Sequence, residues 1–347
     1  MNTASALTLA ARYDAEGRHS EAVDELARGA RNGDVAALAE LGKRLFTGVN
    51  APFRPSDAIG LLVDAAKGGS GDAAALVSVI AAGGIHAPQN WDAGLDYLEL
   101  AARHGDPGAR QQLRLLAGRP ADDDGAADWT ALRGQADIGA WLTPPTVVTH
   151  RDRPRVQSVE GLVPAAVCDW IVRQAEPRLR PAEVHDPATG LAIMGDTRTN
   201  RVANFGLTDT SLINLLVQAR IAAATGSPIA VMEAFAVLNY RVGEEASEHF
   251  DFLDPDVPAY AAEIAELGQR VATCLLYLNT DYGGGETDFP ILDLMHKGRT
   301  GDALIFHSAR PDGAPDPVTL HAGRPPTYGE KWVLSQFIRN KPWLGRS

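Results

Sequence analysis

Along the first third of the chain, alanine and leucine recur at three- to four-residue intervals, the period that lines one face of an α-helix. The stretches are HSEAVDELARGARNG, DVAALAELGKRLFTG, SDAIGLLVDAAKGG, DAAALVSVIAAGG, NWDAGLDYLELAARHG and DPGARQQLRLLAG. Gly-Asp recurs as Gly33-Asp34, Gly71-Asp72 and Gly105-Asp106, spaced by 38 and then 34 residues. Glycine suits the left-handed position just past one helix, and aspartate can cap the amide donors that open the next. One dipeptide is therefore expected to end one helix and begin another. Paired helices at a near-constant interval predict an α-helical repeat solenoid over residues 1–118, which stacks into a concave binding surface. A generic helical bundle is the plainer alternative.

The pattern breaks after Pro120, where small and acidic residues, with Asp122, Asp123 and Asp124 in a row, predict a linker over 119–140. In 141–347 the grammar changes. Helical stretches at Pro164–Leu179 and Ser211–Thr225 give way to short apolar and β-branched runs: IAVMEAFAVLNYRV, SEHFDFL, VATCLLYLNT, DALIFHS, VTLHAG and KWVLSQFIRN. Many short strands late in the chain predict a β-sandwich or jelly roll, so the whole reads as a multidomain α+β protein.

Composition narrows the function. The 347 residues carry 44 acidic against 32 basic side chains, a net charge of -12, and no basic patch stands out that could track phosphates, so no nucleic-acid partner is expected. The start lacks a basic segment followed by an apolar core, and the longest apolar run, Ala73–Ile85, is too short to span a bilayer. A cytoplasmic protein without a membrane partner is the expectation. Cys168 and Cys274, far apart, make neither a disulfide framework nor a zinc cluster.

Candidate chemistry begins with His-x-Asp, present as His104-Gly105-Asp106, His150-Arg151-Asp152 and His249-Phe250-Asp251. Asp106 is explained as a helix cap, and His150 and Asp152 precede Pro154 in a charged connection. His249 and Asp251 lie in the strand-like SEHFDFL, where a two-residue period points both side chains to one face. Two histidines and one carboxylate on one side of an iron leave open positions for a bidentate ligand and dioxygen. His321, in VTLHAG, is the expected third ligand. Ten residues later comes Lys331, after a connection with prolines and glycine that can turn the chain back; its ammonium suits a carboxylate held deeper in the same cavity. Arg198 and Arg201, in TRTNR, are candidates for a substrate loop.

Seven ordered blocks carry a more specific resemblance: PAAVCDWIVRQAEPRL, TRTNRVANF, LNYRVGEEASEHFD, QRVATCLLYLNT, GGGETDFP, GDALIFHS and DGAPDPVTLHAGRPPTYGEKWVLSQFIR. Together they resemble the prolyl 4-hydroxylase branch of the 2-oxoglutarate oxygenases, and the repeats resemble Sel1-like repeats, relatives of the tetratricopeptide repeat. The first resemblance implies a double-stranded β-helix holding Fe(II) through His249, Asp251 and His321. It implies 2-oxoglutarate bound through Lys331, Tyr240 and Thr287, O2 as oxidant and ascorbate as an auxiliary reductant. It also implies a peptide contacted by Glu233 and Arg270, although strict alternation puts Glu233 on the face opposite Tyr240 unless a bulge intervenes. Two departures touch peptide recognition: Ala246 stands where the family often has tyrosine, and Phe337 where it often has tryptophan. The implied function is hydroxylation of a residue in a protein or peptide, proline being a candidate, with the repeats recruiting that partner. The alternatives are the same chemistry on a free amino acid or other small molecule, and a repeat scaffold or sensor with a vestigial oxygenase half.

Overall fold

The computed structural model describes residues 5–121, 127–185, 192–193, 198–310 and 313–342. The acidic run Asp122–Asp124 lies outside the described residues. The chain divides into a helical unit, reaching residue 140 and including 207–215, and a second unit formed by 141–206 and the chain from 216 onward.

The helical unit holds α1 (Ala6–Ala15), α2 (His19–Arg31), α3 (Val35–Thr47), α4 (Pro55–Lys67), α5 (Gly71–Gly83), α6 (Trp91–Arg103), α7 (Pro107–Leu116) and α8 (Trp129–Gln135), followed by α9 (Ile138–Leu142). Asp34 and Asp106 cap α3 and α7, accepting hydrogen bonds from the Ala36 and Ala37 amides and from the Ala109 amide. The middle junction differs from expectation. In Lys-Gly-Gly-Ser-Gly-Asp the left-handed glycine is Gly69 and the cap is Ser70, while Asp72 sits inside the first turn of α5. Once that shift is made, the left-handed glycines Gly33, Gly69 and Gly105 stand at a constant interval of 36 residues. The buried Leu26, Leu62 and Leu98 keep the same interval in α2, α4 and α6. Each repeat thus buries a leucine at the same position. Glycine permits close approach there: a Cβ on Gly94 would lie 2.7 Å from the Ala82 Cβ, and the Ser78 hydroxyl donates to the Gly94 carbonyl at 2.7 Å.

Within the stretch expected as linker, α8 forms instead. Asp128 caps it, and Arg133 pairs with Asp92 at 3.3 Å and Asp96 at 2.8 Å on α6.

The second unit is built on β1 (Val148–Asp152), β2 (Arg155–Val159), β3 (Arg180–Pro181), β4 (Val184–His185), β5 (Ala192–Ile193), β6 (Arg201–Asn204), β7 (Ala236–Tyr240), β8 (Ala246–His249), β9 (Arg270–Tyr277), β10 (Tyr282–Gly284), β11 (Thr287–Phe289), β12 (Leu294–His296), β13 (Ala303–His307), β14 (His321–Gly323), β15 (Pro326–Gly329) and β16 (Lys331–Arg339). Three helices lie along this part of the chain, α10 (Ala165–Ala175), α11 (Leu212–Thr225), whose first residues fall in the helical unit, and α12 (Pro258–Leu267). An eight-stranded antiparallel sheet runs β1-β2-β13-β9-β16-β7-β6-β3, and a four-stranded antiparallel sheet runs β12-β11-β14-β8. Tyr277, Leu304, Phe306 and Val333 from the large sheet meet Phe289 from the small one in a buried core. This is the jelly roll that the alternating runs predicted. Among the described residues, no helix is long and apolar enough to cross a membrane.

Candidate metal and cosubstrate site

β8 and β14 are antiparallel neighbours, and their register sets His249 directly opposite His321. β8 ends at His249, so Asp251 is not on the strand as expected. It follows in a bend that keeps its carboxylate on the same side, while Phe250 turns outward and stacks on Phe252 with ring centroids 4.6 Å apart. The imidazole centroids of His249 and His321 are 4.4 Å apart. Asp251 Oδ1 lies 3.6 Å from His249 Nε2, and its Oδ2 lies 3.6 Å from His321 Nε2. One donor atom from each of the three fits within 4.8 Å of the others.

The surroundings prepare these atoms to be ligands. His249 Nδ1 is 2.7 Å from the Ser247 carbonyl and His321 Nδ1 is 3.0 Å from the Thr319 carbonyl. A carbonyl only accepts, so each Nδ1 carries a proton and Nε2 is the nitrogen of each ring left to bind an ion. Burial, reinforced by the His321 ring, pulls the His249 pKa down to about 4. Burial alone would raise the Asp251 carboxyl, but the two imidazoles, the Thr273 hydroxyl and Arg270 outweigh it and hold the group below the ordinary value. Two imidazoles and a carboxylate on one side of a point are a donor set that fits iron(II).

The same cavity is lined by Arg198, Tyr240, Thr287, Lys331 and Phe337 as well as the triad. Lys331 opposes Tyr240 across the β16–β7 ladder, and Trp332 turns to the other face. The ten-residue connection from His321 to Lys331 does not fold as a hairpin of one sheet. β14 belongs to the small sheet and β16 to the large one, so the cavity lies between the sheets. Lys331 is 2% exposed, and among the described residues its ammonium makes no ion pair; it stands 5.1 Å from the Tyr240 ring centroid. Burial pushes its pKa down to about 8. Thr287 is buried, and its hydroxyl already meets the Tyr277 hydroxyl at 3.0 Å.

Glu233 and Arg270 are held elsewhere. Glu233 precedes β7, which removes the alternation difficulty, and it is not among the residues lining the cavity. Its Oε1 accepts from Arg270 Nε at 2.7 Å and from Arg339 Nε at 2.6 Å, and Arg339 also pairs with Glu263. Burial would raise the Glu233 carboxyl, but the two guanidiniums hold it down. Phe337 stacks under the Arg270 guanidinium, 3.9 Å from the ring centroid. Arg198 lines the cavity, with its backbone bridged to Ala246, whereas Arg201 lies on β6 and bonds Asn239. Of the discarded motifs, Asp106 is the cap of α7 as expected, but His150 and Asp152 lie on β1, an exposed edge strand of the large sheet, rather than in a connection.

Sequence reasoning missed Thr273, whose hydroxyl donates to Asp251 Oδ2 at 2.7 Å. Its signal was a lone polar side chain two residues before Leu275, a residue that lines the cavity.

Residues 235–339 match the 2OG-Fe(II) oxygenase superfamily. A probable prolyl 4-hydroxylase 9 of Arabidopsis thaliana is 30% identical over 254 residues, covering 68% of this chain and 85% of its own length. The chain belongs to the 2OG-Fe(II) oxygenase superfamily. The prolyl 4-hydroxylase subunit alpha-1 of Gallus gallus is 30% identical over 190 residues, and this chain spans 36% of that subunit's length. Among solved structures, a viral collagen prolyl hydroxylase of Paramecium bursaria Chlorella virus-1 is similar at 25% identity and a TM-score of 0.41, over 53% of this chain and 95% of that one. A Sel1 repeat protein of Oxalobacter formigenes is similar at 21% identity and a TM-score of 0.30, over 40% of this chain and 60% of that one.

Proposed function

We propose that this chain is a 2-oxoglutarate-dependent dioxygenase that hydroxylates a residue of a protein or peptide, with proline the first candidate and the helical unit recruiting the partner. A cytoplasmic location belongs to the same reading. The observation that carries the chemistry is a buried lysine, without an ion pair among the described residues, in the cavity that also holds the His-Asp-His set. A buried ammonium is costly without a counter-charge, and a dicarboxylate reaching in from the triad would supply one.

With iron(II) and 2-oxoglutarate bound, dioxygen is consumed as 2-oxoglutarate is decarboxylated to succinate and one oxygen atom is delivered to a substrate C–H bond. The chain's own part is positioning. His249, Asp251 and His321 would hold the ion through their imidazole nitrogens and a carboxylate oxygen. Lys331 donates to the distal carboxylate, with the Tyr240 and Thr287 hydroxyls beside it. The buried aromatic rings of Phe289 and Phe306, centroids 5.3 and 4.8 Å from His321, wall water away from that ligand.

One arrangement favours a second reading, the same chemistry on a free amino acid or other small molecule. The Glu233 carboxylate is taken up by Arg270 and Arg339 and is not among the residues lining the cavity, so peptide recognition through it would require that pair to open. Aerobic succinate formation with iron and 2-oxoglutarate, measured with and without cell-lysate protein, tests the proposal. Stimulation by the protein fraction, with a gain of one oxygen located by mass spectrometry in a protein captured on Asp251→Ala, supports it. Stimulation only by the small-molecule fraction moves the assignment to the second reading. No succinate under any condition returns the chain to the scaffold reading.

A further inference from the structure

Each candidate iron ligand makes an orienting hydrogen bond, and that of Asp251 differs in origin from those of the two histidines. His249 and His321 are steadied by carbonyls two residues before them in the chain, Ser247 and Thr319. Asp251 is steadied from the facing sheet, by Thr273 on β9, whose Oγ1 donates to Oδ2 at 2.7 Å. Thr273 is fully buried, and its strand is clamped on both sides by ladders that set it opposite Phe306 on β13 and Phe337 on β16.

We propose that Thr273 is a positioning residue for the metal centre, its hydroxyl holding Oδ2 so that Asp251 offers Oδ1 to the ion. The inference rests on reading the triad as an iron site. A carboxylate can bind a metal with one oxygen or two. An oxygen that already accepts a short hydrogen bond is the poorer donor, and the bond fixes the rotation of the carboxylate as well. The number of protein ligands matters here, because a chelating 2-oxo acid and dioxygen need the positions that the three side chains leave open. A carboxylate free to turn could close one of them. Threonine is well suited to hold it, since its β-branch restricts χ1 and a central strand packed on both edges gives the hydroxyl little freedom to leave. Asp251 itself follows the end of β8 in a bend, where no ladder partner fixes it. The metal site therefore draws its alignment from both sheets.

The test uses the full chain with cobalt(II), whose visible absorption reports the number of ligands without turnover. Thr273→Val keeps the shape and removes the donor; Thr273→Ser keeps the donor. Loss of an outer partner of a metal ligand typically weakens binding ten- to hundredfold. The expected result is that Thr273→Val weakens cobalt by about that factor and shifts its absorption, while Thr273→Ser restores the native affinity and spectrum. Saturation with 2-oxoglutarate should then need more of the acid in the valine variant than in the serine variant. Native affinity and spectrum in Thr273→Val would overturn the inference, and so would equal losses in Val and Ser, since those would trace to packing. Should Thr273→Val not fold, Ser against Thr273→Ala decides the question, because both lose the methyl and only Ser keeps the hydroxyl. His321→Ala is the separate control. If it binds cobalt as the native chain does, the triad reading itself fails, and the Thr273 inference falls with it.

Discussion

In the helical unit, the junctions between helices are settled by neighbours a few positions away, as when Asp34 caps the helix that starts at the next residue. In the sheet unit it is settled by residues far along the chain: the cavity collects Arg198, Tyr240, His249, Thr287, His321 and Lys331 from β7, β8, β11, β14 and β16 and the chain before β6. Damage should differ accordingly. A repeat can lose one junction and keep the others, because its stability is nearly a sum of repeat and nearest-neighbour contributions. A site assembled from two sheets has no such redundancy.

The largest effect is expected at the triad. His249→Ala, Asp251→Ala and His321→Ala should each reduce 2-oxoglutarate turnover to background while the far-ultraviolet circular dichroism persists, since three protein ligands leave no spare. Near-native succinate production by any one of them would break the contrast at its centre. Next comes the Glu233 cluster. Glu233→Ala leaves Arg270 and Arg339 without their shared carboxylate, and breaking a buried pair costs about 3–5 kcal/mol. Denaturant unfolding followed by a probe in the sheet unit should register that loss. A change below about 1 kcal/mol, the scale of exposed pairs, would show the cluster to be solvated.

Lys331→Ala should raise the 2-oxoglutarate concentration for half-saturation ten- to hundredfold, the equivalent of about 1.5–3 kcal/mol for a charged hydrogen bond, and leave metal affinity unchanged. The pH dependence follows from the lysine's depressed value of about 8. Below it the ammonium is present and holds the carboxylate; above it 2-oxoglutarate affinity should fall by about tenfold per pH unit, and Lys331→Arg should flatten that fall. For folding the sign is opposite. Burying the charged form opposes folding below about pH 8, and that opposition fades as pH rises from there toward the ordinary 10.5. The smallest effect belongs to the repeats: Asp34→Ala should cost about 1 kcal/mol, measured as a lower denaturation midpoint, with succinate production unaltered. A loss of activity there would erase the distinction between the units.

The same difference explains what the sequence could tell. Helix pairs were legible because caps and apolar period are local, and the one misplaced junction failed on the run Gly68-Gly69-Ser70-Gly71, in which several residues could supply the left-handed turn. His249, Asp251, His321 and Lys331 were found through a short motif, a strand period and the resemblance. Thr273 was missed, and so was the capture of Glu233 by Arg339, because each depends on which strands become neighbours. Local pattern does not encode that pairing. Alternation gave the inward face of β16 but left open that β14 and β16 lie in different sheets.

His249 and His321 are 72 residues apart and directly opposed across one ladder. An ion bound to both would act as a reversible cross-link between β8 and β14, and slippage of either strand by one residue would turn its imidazole to the wrong face. Metal concentration then becomes a folding variable: an ion at a hundred times its dissociation constant adds about 2.7 kcal/mol to the unfolding free energy of whatever binds it only when native. Strand alignment in the small sheet would be proofread by the metal, and a cell poor in iron would hold this chain in a less stable form as well as a less active one.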